Sequence, residues 1–198
     1  MDKILENLKL LWYNDTLDIN MPSDKAFSAG NQQERLETIG WITGFVDGEG
    51  CFSVSIFRNM AQTKLGWQVF PEFVVSQGEK SIASLELIKK YFDCGYIIRN
   101  NRHDNHHEAM MKYCVRSIAD LREKIIPFFD QHQLKTYKRN DFKVFKKIVQ
   151  IIFDKRHLSQ KGLERIAKLI STMNRRKSSK FLESSETIRR TSTVSMKI

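Results

Sequence analysis

The chain has 198 residues, 41% of them hydrophobic, and a formal net charge of +10. That is enough for one domain with a sizeable core, and no stretch approaches the ~20 apolar residues of a membrane span, which argues against a membrane partner. The charge is uneven: residues 1–40 hold four basic and seven acidic side chains, leaving 29 basic against 16 acidic in residues 41–198, the balance of a protein that meets a polyanion.

The three cysteines, Cys51, Cys94 and Cys114, are far apart and form no Cys-x-x-Cys pair. They predict a reducing, intracellular compartment and neither a zinc site nor a disulfide frame. Asp2, Glu6, Asp15 and Asp18 break any signal-peptide core, and the N-terminus is too acidic for a transit peptide.

Residues 3–13 predict a short amphipathic helix, and residues 14–33, with Pro22, Ser28, Gly30 and Asn31, an irregular arm. Residues 1–35 are therefore expected to be an N-terminal extension, ahead of a main domain over 36–174. From Leu36 to Val46 the apolar residues Ile39, Ile42 and Val46 recur at helical spacing, with Trp41 and Phe45 beside them. Gly40 and Gly44 stack on one face of that helix. Each costs ~1 kcal/mol of helix propensity, so a second helix is expected to approach there. Asp47 and Glu49 end the helix, interleaved with Gly48 and Gly50. A helix C-terminus disfavours carboxylates, so these two predict a hard cation such as Mg²⁺. Two copies packed through the glycine face would bring two acidic clusters together, a layout suited to metal-assisted phosphodiester cleavage.

A strand follows over Cys51–Asn59, with Phe52, Val54 and Ile56 on one face and Ser53, Ser55 and Phe57 on the other. After a turn, Trp67–Gln77 places Gln68, Phe70, Glu72, Val74 and Ser76 on one face; Pro71 predicts an edge position or a bulge. Ser81–Asp93 is a predicted helix stopped by Gly95. Tyr96–Arg102 and Glu108–Arg116 predict a second hairpin around a loop containing His103, His106 and His107. In its returning strand Lys112, Cys114 and Arg116 face away from Tyr113 and Val115. Ser117 caps a helix running to about Gln131, which Pro127 is expected to kink or end early. Helices over Tyr137–Phe153 and Gln160–Met173 precede a loose basic tail over 175–198, and residues 135–180 hold fifteen basic and three acidic side chains. The fold class is α+β: two hairpins in one antiparallel sheet, helices on one face, the other face open and polar. A twisted two-stranded ribbon fits the DNA major groove. A second acidic-glycine motif is absent, so one chain provides half of the expected site.

The run Trp41-Ile-Thr-Gly-Phe-Val-Asp-Gly-Glu-Gly50 resembles the motif of the LAGLIDADG homing endonucleases, and the element order agrees over about Leu36 to Ile170. The opening Trp41-Ile42-Thr43 differs from the usual Leu-Ala or Leu-Ile-Ala, which touches packing and not the acids. The resemblance implies an αββαββα core with extra C-terminal helices, and an antiparallel sheet that forms a DNA-binding saddle. It further implies a homodimer packed through Gly40, Gly44 and Asp47, and a long, near-palindromic double-stranded DNA target. Cleavage with Mg²⁺ or Mn²⁺ would leave 3′ overhangs, and the gene would be intron-encoded. Abundant Ile, Lys, Phe and Asn favour an A/T-rich organellar genome.

By the same resemblance Glu49 is the metal ligand beside the scissile phosphate, joined by the Gly48 carbonyl. Asp47 is the preceding acid, expected to cap the partner helix or shape the turn. Gln77 matches a polar residue beside the water at the metal. Lys135 matches a basic residue that steadies transition-state charge, with Lys138 as the competing candidate. Ser53, Ser55, Phe57, Gln68, Phe70, Glu72, Asn100, Arg102, Lys112 and Arg116 are expected to face DNA, with Arg99 and Asn101 exchanging for Asn100 and Arg102 if the strand parity is reversed. Lys138 and Arg139 are expected at phosphates. Two other activities use the same scaffold: an RNA maturase that binds intron RNA, and a DNA-binding relative that does not cleave. Glu49, Gln77 and Lys135 together favour the nuclease.

Overall fold

The structure is a computed structural model, and it describes residues 29–61, 63–100, 109–173 and Phe181. The expected helix over 3–13, most of the arm, Asn101, Arg102, the histidine loop and the basic tail over 175–198 (Phe181 apart) lie outside the described residues. Residues from Glu37 onward form one unit, and the sheet, the core and the candidate site belong to it.

Helix α1 (Ala29–Glu49) buries Ile42 and Val46 completely. Gly40, Gly44 and Gly48 are exposed, and a Cβ built on any of them would meet nothing within 4 Å. Among the described residues, nothing covers that glycine face. The helix passes without a break into strand β1 (Gly50–Arg58). Gly50 permits the junction: a Cβ there would lie 2.6 Å from Cγ1 and 2.7 Å from the carbonyl oxygen of Val46.

Three more strands follow: β2 (Trp67–Gly78), β3 (Tyr96–Asn100) and β4 (Met110–Val115). All pairings are antiparallel, in the order β1-β2-β4-β3. An edge or a bulge was expected at Pro71; β2 as a whole is an inner strand, but at Pro71 it pairs with β1 alone. Pro71 sits opposite Val54 of β1, but β4 pairs with β2 only from Phe73 onward. On the β4 side Pro71 has no partner, so a missing donor there breaks no ladder bond.

Helix α2 (Ile82–Phe92) ends at Asp93, whose φ of 46° provides the left-handed cap, and Gly95 follows at φ 75°. The left-handed stop thus begins two residues before the expected glycine. After β4 come Ile118–Asp120, a π-helical turn over Leu121–Ile125, and Ile126–Gln131, here together called α3. Pro127 lies in the first turn of the last piece and does not end the helix. Proline lacks the N–H of a helical bond and crowds the carbonyl four residues back, and the wide π turn just before it makes the room. Helices α4 (Lys138–Phe153) and α5 (Gln160–Ile170) complete the core; the Ser159 hydroxyl caps α5 by accepting from the Gly162 N–H at 3.1 Å.

The helices cover the sheet face that carries Phe52, Phe73 and Val75, all fully buried. Phe52 is the hub. Its ring lies 5.1 Å from Phe73 of β2, 5.4 Å from Phe129 of α3, and 5.1 and 5.4 Å from Phe142 and Phe145 of α4. Aromatic pairs at such distances add to their area burial. The cluster ties the sheet to both α3 and α4. It thereby fixes where α4 starts relative to the end of α1. Gly50→Ala is expected to lower stability by about 1–3 kcal/mol, read as a lower urea midpoint at unchanged slope. Gly44→Ala, at an open helical position, should leave stability unchanged or raise it by up to about 1 kcal/mol.

Candidate active site and nucleic-acid interface

The last turn of α1 and the first turn of α4 meet. The Asp47 carboxylate accepts from the Lys135 N–H at 2.7 Å, from the Thr136 N–H at 3.0 Å and from the Thr136 hydroxyl at 2.6 Å. In return Lys138 Nζ donates to the carbonyls of Val46 and Asp47, both at 2.9 Å, and of Gly48 at 3.0 Å. An acid thus sits at the N-terminal approach to α4, and a cation caps the C-terminus of α1, each at the end its charge favours. Burial alone would push the Asp47 carboxyl up, but the bonds from Thr136 and Lys135 outweigh it and hold it below its ordinary value. Desolvation pulls the Lys138 ammonium below its ordinary value, while Asp47, Cys51 and Glu49 oppose that shift.

These contacts bear on three expectations. Asp47 was expected to cap a partner helix or shape the turn; its oxygens accept from residues 135 and 136 of its own chain. The Gly48 carbonyl, expected to face a metal, accepts from Lys138. Of the two lysines, Lys138 brings its ammonium to the foot of α1, whereas Lys135 is exposed and contributes its backbone N–H to Asp47. Thr136 escaped the sequence reading altogether.

Glu49, the final residue of α1, is exposed, and no hydrogen bond engages its carboxylate among the described residues. Gly50 pairs with Val75, so β2 extends two further residues along the foot of α1 to Gln77. Glu49, Lys138 and Gln77 therefore belong to one end of the unit. Among the described residues no three His, Cys, Asp or Glu side chains gather into a metal-holding group.

The uncovered sheet face carries the residues expected there. Ser53, Ser55 and Phe57 lie opposite Glu72, Phe70 and Gln68. Lys112 lies opposite Ser76 on one side and Ile98 on the other, and Asn100 lies opposite Met110. This settles the parity in favour of Asn100, with Arg99 on the other face. Tyr96 and Ile98 share the open face and were missed, although alternation from Asn100 points to both. Not every candidate is free: Asn59 donates to the Gln68 side chain at 2.6 Å, and Glu72 forms an ion pair with Arg116. Phe57 and Phe70 pack edge to face, 6.0 Å between ring centres. Arg139 lies exposed in the first turn of α4.

A four-stranded antiparallel sheet with one open, mixed polar and aromatic face, flanked by an acid at a helix end, is a layout suited to acting on nucleic acid. The family model described as LAGLIDADG endonuclease matches residues 42–149. The chain belongs to that family. It is 37% identical over 135 residues to a probable intron-encoded endonuclease 2 of Neurospora crassa, covering 68% of this chain and 28% of that protein. It is 31% identical over 108 residues to the DNA endonuclease I-CeuI of Chlamydomonas moewusii, covering 54% of this chain and 47% of that one. Among solved structures, the homing endonuclease I-TnaI matches with a TM-score of 0.67 at 35% identity, covering 76% of this chain and 97% of that chain. I-SmaMI bound to uncleaved DNA target in the presence of calcium ions matches with a TM-score of 0.65 at 33% identity, covering 72% of this chain and 47% of that chain. The chain thus spans less than half of the length of these two curated relatives, from Neurospora and Chlamydomonas. No helix among the described residues is long and apolar enough to cross a membrane.

Because the Asp47 carboxyl is held below its ordinary value of 3.8, its contribution to stability is present above that value and is lost as pH falls through the lower, folded-state value. Asp47→Ala is expected to cost about 1–2 kcal/mol at neutral pH, as for a lost helix cap. Asp47→Asn should flatten the loss of stability below about pH 4 relative to the wild type. Urea midpoints measured across that range check both.

Proposed function

We propose that the chain is a site-specific double-strand DNA endonuclease that works as a homodimer, each copy supplying one acid and one lysine. The observation that carries this reading is the foot of α1. There Glu49 offers an exposed carboxylate with no hydrogen bond among the described residues, at the same helix end that Lys138 caps. A carboxylate left at the negative end of a helix dipole attracts a cation. A hard divalent ion, Mg²⁺ or Mn²⁺, suits this oxygen donor, and the second lone pair of the Gly48 carbonyl adds another. When bound, such an ion supplies Lewis-acid stabilisation of the phosphate and a more acidic water. The solved structure of I-SmaMI with its uncleaved DNA target, in the presence of calcium ions, supports a divalent ion in this setting.

The chain's own residues do the rest. Glu49 would hold the ion through its carboxylate. Lys138 keeps a fixed positive charge at the same place, where negative charge builds in the transition state. Gln77 orients the attacking water through its side-chain amide. Asp47 is a positioning residue: it fixes the turn from which α4, and with it Lys138, begins. Lys135 and Arg139, both exposed beside that turn, contact backbone phosphates. Gly40 and Gly44 let α1 of a second copy approach closely, since no described residue covers them. The resulting two-fold axis calls for a near-palindromic target. Relatives named as intron-encoded support an intron-encoded, organellar origin.

Glu49→Gln tests this reading. On a duplex selected from a randomised near-palindromic library, cleavage with Mg²⁺ should fall by about 10³-fold, the loss expected for several kcal/mol of transition-state stabilisation. Affinity for the duplex should stay within about threefold, because one neutralised acid does not weaken phosphate contacts. Cleavage by the variant at the wild-type rate, or undiminished wild-type cleavage in chelator, would contradict it.

A further inference from the structure

Arg116 is held unlike any other basic side chain described on the open sheet face. It follows β4 directly, next to Val115, which pairs with Phe73 of β2. Its Nε donates to a carboxylate oxygen of Glu72, 44 residues earlier. The Glu72 side chain is only 15% exposed, so this acceptor is fixed by its surroundings. The guanidinium carbon also lies 4.9 Å from the ring centre of Phe70 on β2 and 5.5 Å from that of Tyr96 on β3. β2 and β3 flank β4 on opposite sides, so the two rings approach from both neighbouring strands. Rings at these distances attract the cation as well as confining it.

One edge of the guanidinium is therefore anchored while the other is left for a ligand. Among the described residues no hydrogen bond engages Nη1 or Nη2, and the Arg116 side chain is still 35% exposed. Two parallel N–H donors in a fixed plane match the O6 and N7 acceptors that guanine presents in the major groove. A long side chain normally gives up rotamer freedom to make such a contact. Here Glu72, Phe70 and Tyr96 have already restricted it, which lowers the cost of binding.

We propose that Arg116 reads a guanine in each half of the DNA target, and that Glu72 is a positioning residue that aims it rather than a base-contacting residue. The assignment rests on the endonuclease reading above and adds a specified base. It also separates Arg116 from Lys112, on the same face, which lacks a planar fork and is expected to discriminate less.

The test is a specificity profile of the full chain, with binding and cleavage measured on every single-base variant of a target selected from a randomised duplex library. The wild type should require guanine at one position of each half-site by about tenfold or more, the discrimination expected of a bidentate contact. Arg116→Ala and Arg116→Lys should both relax that position and no other, and the lysine variant guards against a loss of fold. Glu72→Ala should relax the same position, whereas Glu72→Gln, which keeps an acceptor for Nε, should retain most of the preference; a merely structural role would weaken all positions alike. Specific cleavage with no guanine position sensitive to Arg116 overturns this proposal and leaves the endonuclease reading standing. Absence of specific binding to any duplex overturns both.

Discussion

Two helix ends hold each other at the foot of α1, and the arrangement of the candidate site depends on that grip. The Asp47 carboxylate binds the backbone ahead of α4, while the Lys138 ammonium binds the last carbonyls of α1. Lys138 satisfies carbonyls that the C-terminus of α1 leaves without intrahelical partners, and Asp47 fixes the two residues just ahead of the α4 N-cap. The consequence for chemistry is a division of labour between two neighbouring acids. Asp47 is consumed by the clamp, and Glu49, two residues on, remains open. The same clamp brings the charged side chain of α4's first residue to the helix end that carries Glu49. Its position relative to the sheet is set further away, by the packing of Phe142 and Phe145 around Phe52.

The sheet divides its two faces just as sharply. Phe52, Phe73 and Val75 are buried under the helices, and the alternate residues of the same strands are left on a face that no described helix covers. That face is not a uniform polar surface. Phe57 meets Phe70, Asn59 holds Gln68, and Glu72 holds Arg116 between strands. Side chains ordered in this way can discriminate between bases at low entropic cost, whereas mobile ones would mainly add affinity. The bare glycine face of α1 and the open sheet face are separate surfaces, and the proposed function assigns the first to a second copy and the second to a duplex.

Much of this was legible in the sequence because it is local. The Asp-Gly-Glu-Gly pattern marks a helix end carrying acids, and alternation along β1 and β2 separated core from open face correctly. What was not legible depends on distant pairings. Pro71 predicts an edge or a bulge, and nothing local says that β2 is instead an inner strand whose pairing with β4 begins only at Phe73. The choice between Lys135 and Lys138 depends on where α4 starts and how it is rotated against α1, a matter of tertiary packing. The Glu72–Arg116 pair joins residues 44 apart, and Tyr96 enters the same cluster from a third strand. Pro127 was expected to kink its helix or end it early; the helix runs on to Gln131, and the π turn before Pro127 is a geometry that composition does not announce.

The central claim is that one chain supplies half of a two-strand cleavage site, with Glu49 as its acid. The most direct measurement joins two copies in one polypeptide, changes Glu49 to Gln in one copy only, and follows each strand of a supercoiled plasmid that carries the selected target. One active acid per strand should give a nicked circle, with the second strand intact long after the first is cut. Linear product at the rate of the unmodified tandem chain, or loss of both cuts together, would contradict the claim.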